Sequence, residues 1–318
     1  MDNDNLNLSK QQFLAGEISR EEYWNCINSS LMEVRQIQNL LKEHRLNLEI
    51  HELNLVLGYV IRNQHFLRLL ITENDIRTAS FTILANGKYE SLLEDLIFEL
   101  VESSFKFLDI GANMGFYSIG AALTNRSVAV IAFEPNPKIT RTLEYNADLN
   151  KVIGNITILE IALSDFSGTE TFSVPLFTGS GGGSLRNLHP EEGSPTEFQV
   201  PVERLDKFRD QTSGTDLIKI DVEGAEYNLL MGGLATIKEN QPTVVIELLR
   251  KWMKPFGTSP SDVVKVMFEN DYLCFAVGSS YAREIRMIDE STPETNFIFC
   301  HVSRSKHLEI ITRALNKE

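Results

Sequence analysis

The chain has 318 residues and carries 30 basic against 44 acidic side chains, a formal net charge of −14. With 42% hydrophobic and 23% charged residues it has material for a sizeable core, which excludes disordered, collagen-like and disulfide-scaffold classes. The acidity argues against nucleic acid as a partner, because neutralising phosphates takes clustered Lys and Arg.

Cys26, Cys274 and Cys300 are far apart and form no zinc-ligand or redox spacing, so free cysteines in a reducing compartment are expected. The acidic, polar start Met1-Asp-Asn-Asp-Asn5 does not read as a signal peptide. The apolar run 55–61 is broken by Gly58 and falls far short of the ~20 residues a membrane span needs. A cytoplasmic location is the expectation.

In chain order, residues 18–44 lack Gly and Pro and place apolar side chains at steps of three and four, predicting an amphipathic helix. Ser19 and Glu22 have the S-x-x-E form of a capping box. The more apolar stretch 46–71 is predicted helical as well. Residues 1–75 therefore read as a helical extension, serving as an oligomerisation element (a homodimer through these helices) or a substrate cap, and 76–318 as the main domain.

From there the pattern alternates between strand and helix. Phe105-Lys-Phe-Leu-Asp-Ile110 predicts a strand, followed by Gly111-Ala-Asn-Met-Gly115 and a helix to Leu123. Residues 127–133 predict a second strand, ending at Glu134-Pro-Asn-Pro137, whose prolines open a helix to about Asn150. Residues 155–163 predict a third strand and 216–221 a fourth, leading through Gly224 into a helix over 225–237. Residues 243–248 predict a fifth, and 272–277 and 296–300 closing strands, with a helix over 261–269. Short β-branched strands alternating with helices predict an α/β fold with a mostly parallel, doubly wound sheet. Residues 168–202 interrupt the rhythm as a lid-like insertion with extended segments at 169–174 and 197–202 around the loop Thr178-Gly-Ser-Gly-Gly-Gly-Ser184.

The glycines at 111 and 115, between a strand and a helix N-terminus, let the backbone turn sharply against a ligand. The three-glycine spacing of a dinucleotide fingerprint is missing, and Asp109 at the strand end suits a ligand with a cationic amino acid moiety. Glu134, closing the second strand, can accept hydrogen bonds from both hydroxyls of a ribose. Ala162 and Asp165 lie at the end of the third strand, where an adenine edge would fall. An adenosine with an amino acid tail points to S-adenosylmethionine.

Phe107-Leu-Asp-Ile-Gly-Ala-Asn-Met-Gly115, Phe133-Glu-Pro-Asn-Pro137, Ala162-Leu-Ser-Asp165, Leu205-Asp206 and Ile218-Lys-Ile-Asp-Val-Glu-Gly-Ala-Glu226 resemble, in order, the motifs of FkbM-family methyltransferases. Gly87-Lys-Tyr-Glu90 resembles a segment seen upstream of them. The resemblance covers roughly residues 85–250. It implies a Rossmann-like class I methyltransferase that uses S-adenosylmethionine to methylate a hydroxyl of a sugar, glycan, polyketide or related natural product. On that footing Glu90, Asp109, Gly111, Asn113, Gly115, Glu134, Asn136, Ala162 and Asp165 are the expected cofactor-binding residues.

An alkyl hydroxyl is a poor nucleophile at neutral pH, so its methylation calls for a base. Asp221 or Glu223 is the candidate, with Lys219 orienting a carboxylate or lowering an acceptor's pKa. The competing reading is a Lys219–Asp221 ion pair beside a helix start decorated by Glu223 and Glu226. No dedicated metal-ligand spacing is present, although Asp221, Glu223 and Glu247 together would offer oxygens to Mg²⁺. Ser184 and His189, in the insertion, are candidate substrate contacts, His189 being either a surface residue or a lid-borne base. Trp252 and Phe256 either stack on a sugar ring or pack in the core. Two other readings stay open: a nicotinamide oxidoreductase on a similar fold, and a catalytically silent nucleoside-binding assembly module.

Overall fold

The computed structural model describes residues 11–12, 15, 17–19, 22, 41–44, 46–52, 54–72, 78–176 and 179–315. The chain divides into two units, Met1–Asn47 and Leu48–Glu318. In the first, Ser19 and Glu22 make the predicted capping box: the Ser19 amide donates to Glu22 Oε2 (2.7 Å) and the Glu22 amide to Ser19 Oγ (3.1 Å). Residues 41–43 are helical, and most of the remaining predicted helix, with Cys26, lies outside the described residues.

The stretch 46–71 is not helical. It forms β1 (Asn47–His51), β2 (Asn54–Val60) and β3 (Phe66–Leu70), a sheet in the order β1-β2-β3. On β3 the side chains alternate, Leu67 and Leu69 inward and Phe66 outward, the period of a half-buried strand. On β2 the run Val56-Leu-Gly-Tyr59 is buried throughout, which erases that period in the sequence. The second unit thus begins at Leu48, well before the boundary near residue 75 that the sequence indicates.

Next come α1 (Ala79–Asn86) and α2 (Ser91–Val101), then β4 (Lys106–Ile110), α3 (Phe116–Thr124), β5 (Ala129–Phe133), α4 (Pro137–Leu149) and β6 (Ile156–Leu159). The predicted third strand breaks after Leu159. Its continuation, β7 (Ala162–Leu163), leaves the main sheet and pairs in parallel with β9 (Thr196–Glu203), which pairs antiparallel with β8 (Gly168–Val174). The insertion is therefore a folded three-stranded sheet with its own small core of Ala162, Phe172, Leu185, Val200 and Val202.

The chain then returns through β10 (Leu217–Ile220), α5 (Glu226–Gly232), α6 (Leu234–Asn240), β11 (Thr243–Glu247), α7 (Pro260–Phe268), β12 (Tyr272–Val277), β13 (Ala282–Ile285), β14 (Asn296–His301) and α8 (Ser305–Leu315). The predicted helix over 225–237 is two helices meeting at Gly233, where a Cβ would press on the Leu205 side chain (2.8 Å). The main sheet has the order β13-β12-β14-β11-β10-β4-β5-β6. β11, β10, β4, β5 and β6 pair in parallel, whereas β14 runs antiparallel between β11 and β12. Its buried strands (Phe107, Leu108, Ile218, Val244, Phe297 and Phe299 among them) supply the core. This is the predicted Rossmann-like α/β fold, with a mostly parallel, doubly wound sheet. The chain order reverses between β4 and β10, and a crevice at the carboxyl ends of such strands is where ligands bind in open α/β sheets.

Among the described residues no helix is long and apolar enough to cross a membrane.

Candidate active site

A cavity of about 320 Å³ opens at that switch point. One wall is the turn from β4 into α3. Gly111 has φ +80°, and a Cβ there would stand 1.8 Å from the Asp221 carbonyl oxygen, so only glycine lets the turn pass against the end of β10. The Gly111 and Ala112 amides both donate to the Phe133 carbonyl (2.9 and 3.0 Å), tying this turn to β5. Gly115, at φ +92°, starts α3 and lies behind the cavity wall.

Glu134 is fixed by two loops at once. Its Oε2 accepts from the Asn113 amide and its Oε1 from the Asn136 amide, both at 2.9 Å. Burial pushes its carboxyl up to about 7 against those two hydrogen bonds. The Asn136 side chain caps α4, accepting from the Lys138 amide (3.1 Å), and only its backbone serves the site. Asp109 is fully buried and does not line the cavity. Its Oδ2 accepts from Ser118 Oγ (2.6 Å), while Oδ1 has no hydrogen-bond partner among the described residues. Burial raises its pKa, opposed by Lys219 and Ser118.

The rest of the lining includes residues of β10 and β11 and of the segment before α2. Lys219 Nζ lies 2.9 Å from Asp221 Oδ2 and 5.0 Å from the centre of the Tyr117 ring. Burial works to lower its pKa, but Asp221, Asp109 and Glu90 outweigh it and hold the ammonium above its ordinary value. Glu90 accepts a hydrogen bond from the Tyr117 hydroxyl, and burial raises its pKa. Glu223 adopts φ +52°, a left-handed conformation uncommon outside glycine and concentrated at functional sites. Its carbonyl accepts from Ser184 Oγ (2.7 Å).

Eight sequence candidates therefore share one cavity: Glu90, Gly111, Asn113, Glu134, Ala162, Lys219, Asp221 and Glu223. Others fall elsewhere. Asp165 is exposed and accepts from Ser164 Oγ (3.1 Å), because the chain switches sheets just before it. Ser184 is buried and spent on the Glu223 carbonyl, so it fastens the insertion rather than facing the cavity. His189 is buried, not a surface residue, with Nδ1 3.2 Å from Glu191 Oε1 and its ring edge-on to Trp252, outside the cavity lining.

Sequence reasoning missed Tyr89 and Tyr117, and named Glu247 only as a metal ligand. All three line the cavity. Glu247 closes β11, and burial together with the Asp221 and Glu90 charges pushes its carboxyl up to about 8, against the opposing pull of Lys219. Its position at the end of a parallel strand beside β10 was the available signal. Trp252 also lines the cavity, and Phe256 packs beneath Arg186 (5.4 Å).

The Methyltransferase FkbM domain profile matches residues 109–274, just over half of the chain. Methyltransferase sdnD of Sordaria araneosa is 26% identical over 205 residues, covering 54% of this chain and 76% of that protein. The AMB antimetabolite synthetase AmbE of Pseudomonas aeruginosa is 30% identical over 230 residues, covering 56% of this chain but only 11% of that much longer protein. The crystal structure of methyltransferase FkbM from Methylobacillus flagellatus KT aligns at a TM-score of 0.39 and 18% identity, over 62% of this chain and 43% of that one. A methyltransferase assignment sets the oxidoreductase alternative aside, and the chain belongs to the FkbM family of methyltransferases.

Proposed function

We propose that the protein transfers a methyl group from S-adenosylmethionine to a hydroxyl of a sugar, glycan, polyketide or related natural product. The observation that carries this reading is the presence, in one cavity, of the anchored Glu134 carboxylate beside the glycine turn and of the Lys219–Asp221 pair.

The residues fit the cofactor. Glu134, oriented by two amides, presents acceptor capacity to the ribose hydroxyls, and the Gly111–Gly115 turn gives the amino acid tail a close backbone approach. Asp109, with its orphaned buried oxygen, supplies negative charge behind that turn. Ala162, with Leu163, offers an apolar surface for the adenine. When bound, the cofactor supplies an electrophilic methyl group on a sulfonium.

The chain's own residues then hold the acceptor and take its proton. Asp221 Oδ2 is occupied by Lys219, and its second oxygen makes no hydrogen bond among the described residues, leaving it to accept from a hydroxyl. Lys219 compensates the Asp221 charge while the proton is still on the acceptor. With its carboxyl near 8, Glu247 is mostly protonated at neutral pH, which suits it to donate a hydrogen bond rather than act as the base. Glu223 stays the second candidate base. Buried free Cys274 and Cys300 agree with action in the cytoplasm.

The test is methyl transfer from labelled S-adenosylmethionine to candidate glycans and polyketides, read as a gain of CH₂ by mass spectrometry. Asp221→Asn should lower turnover by about 10²- to 10⁴-fold with cofactor affinity retained. Wild-type turnover in Asp221→Asn but loss in Glu223→Gln would move the base to Glu223.

A further inference from the structure

A second, more open groove of about 330 Å³ lies on the far side of Tyr89 and Glu90, the two residues that border it and the main cavity alike. Its other walls are Leu93 of α2, residues 277–279 at the end of β12 and residues 293–296 leading into β14. Tyr89 makes no hydrogen bond through its hydroxyl among the described residues, and its ring packs on Phe116 at 4.7 Å. Tyr89 lines the reaction cavity together with Glu90, Asp221, Glu223 and Glu247, and burial and those charges raise its pKa.

The groove's chemistry is selective. No Lys, Arg or His lines it among the described residues. Glu294 is paired with Arg283 (2.7 and 2.8 Å) and accepts from the Tyr281 hydroxyl (3.0 Å), and Glu90 accepts from the Tyr117 hydroxyl, so the charged residues lining the groove among the described residues are acidic. The other lining residues are neutral, polar at Ser279, Thr295 and Asn296 and apolar at Leu93, Val277 and Pro293. Such a surface rewards hydroxyls and ring faces and gives a phosphate nothing to pair with.

We propose that this groove is a second acceptor subsite, holding the non-reacting unit of an uncharged, two-part hydroxyl acceptor such as a disaccharide. The reacting unit sits beside Asp221, and Tyr89 is the contact shared by both units. The inference rests on the methyl-transfer reading above. It makes the enzyme select an extended neutral acceptor over a monosaccharide and over a phosphorylated one, since binding energy from the remote unit positions the reacting hydroxyl.

The experiment compares glucose, cellobiose and cellobiose 6′-phosphate as acceptors for the full chain, alongside S-adenosylhomocysteine affinity. Wild type should show a kcat/KM for cellobiose at least about tenfold above glucose, the worth of one or two hydrogen bonds, and poor use of the phosphate. Ser279→Trp, a substitution at an exposed turn that fills the groove, should erase the cellobiose advantage with glucose use and S-adenosylhomocysteine affinity unchanged. Ser279→Lys should improve use of the phosphorylated sugar. An unchanged cellobiose advantage in Ser279→Trp overturns the subsite, as does equal use of all three sugars or of none by an enzyme that binds S-adenosylhomocysteine. Failure to bind S-adenosylhomocysteine overturns the cofactor reading beneath it.

Discussion

Glu134 spends each carboxylate oxygen on a backbone amide, one from each flanking loop, and so turns a flexible side chain into a fixed acceptor. Gly111 is constrained more severely. Gly111→Ala would incur the left-handed penalty of about 1–2 kcal/mol, and its methyl would also collide with the Asp221 carbonyl. We expect a lower midpoint in urea unfolding and loss of S-adenosylhomocysteine binding. A variant as stable as wild type would mean that the turn is not held against β10. Both residues were legible in the sequence, because a glycine turn between a strand and a helix and an acid at the next strand end are local signals. Asp165 misled, since its local motif was read without the sheet switch that carries it to the surface. The burial of His189 depends on Trp252, 63 positions away, and no local pattern announces it.

At the scale of elements, β3 and α4 are joined by side chains that imitate a neighbouring strand. Asn150 accepts from the Arg68 amide (2.9 Å) and donates to its carbonyl (2.7 Å), and Asn146 accepts from the Leu70 amide (2.8 Å). The same Asn146 donates to the Met114 carbonyl (2.9 Å) in the glycine turn, so the N-terminal sheet braces the turn through one buried amide. Asn146→Ala leaves two backbone groups without partners, at about 1–3 kcal/mol each. Thermal unfolding should show the loss, and an unchanged melting temperature would remove Asn146 from the brace. The insertion is fastened by Ser184 to Glu223, and Ser184→Ala should cost about 1 kcal/mol. The central strands were readable because short β-branched runs alternate with helices. β1–β3 were not, because β2 is buried on both faces and a continuous apolar run cannot be told from a helix by period. The break in the third strand is hidden for a similar reason: apolar residues continue across the point where the chain changes sheets.

Across the whole molecule, acidic groups are taken out of water with too few cations to answer them. Burial pushes Glu94, Glu134 and Glu226 up to about 7 and Glu247 to about 8, against an ordinary value of 4.5. At these four carboxyls the folded chain holds, between pH 4.5 and about 8, protons that the unfolded chain has released, so their contribution to stability falls as pH rises through that window. Buried His307, held down to about 4, opposes them below about pH 6.5. The melting temperature should drop from pH 5.5 to pH 8, as measured by scanning calorimetry. Glu247→Gln, which has no proton to lose there, should flatten the upper part of that slope, and an unaltered slope would show that Glu247 ionises normally. The formal net charge of −14 counts these carboxyls as ionised, so their burial leaves the folded chain less negative near neutral pH than its composition states.

The central claim is that the cavity at the switch point holds S-adenosylmethionine through the carboxylate at the end of β5. Isothermal calorimetry of S-adenosylhomocysteine with wild type and Glu134→Ala tests it directly. Wild type should bind one equivalent, and the variant, still folded by circular dichroism, should bind at least about tenfold more weakly for the lost charged hydrogen bonds. No binding to folded wild type would contradict the cofactor, and equal affinity in the variant would contradict the role given to Glu134.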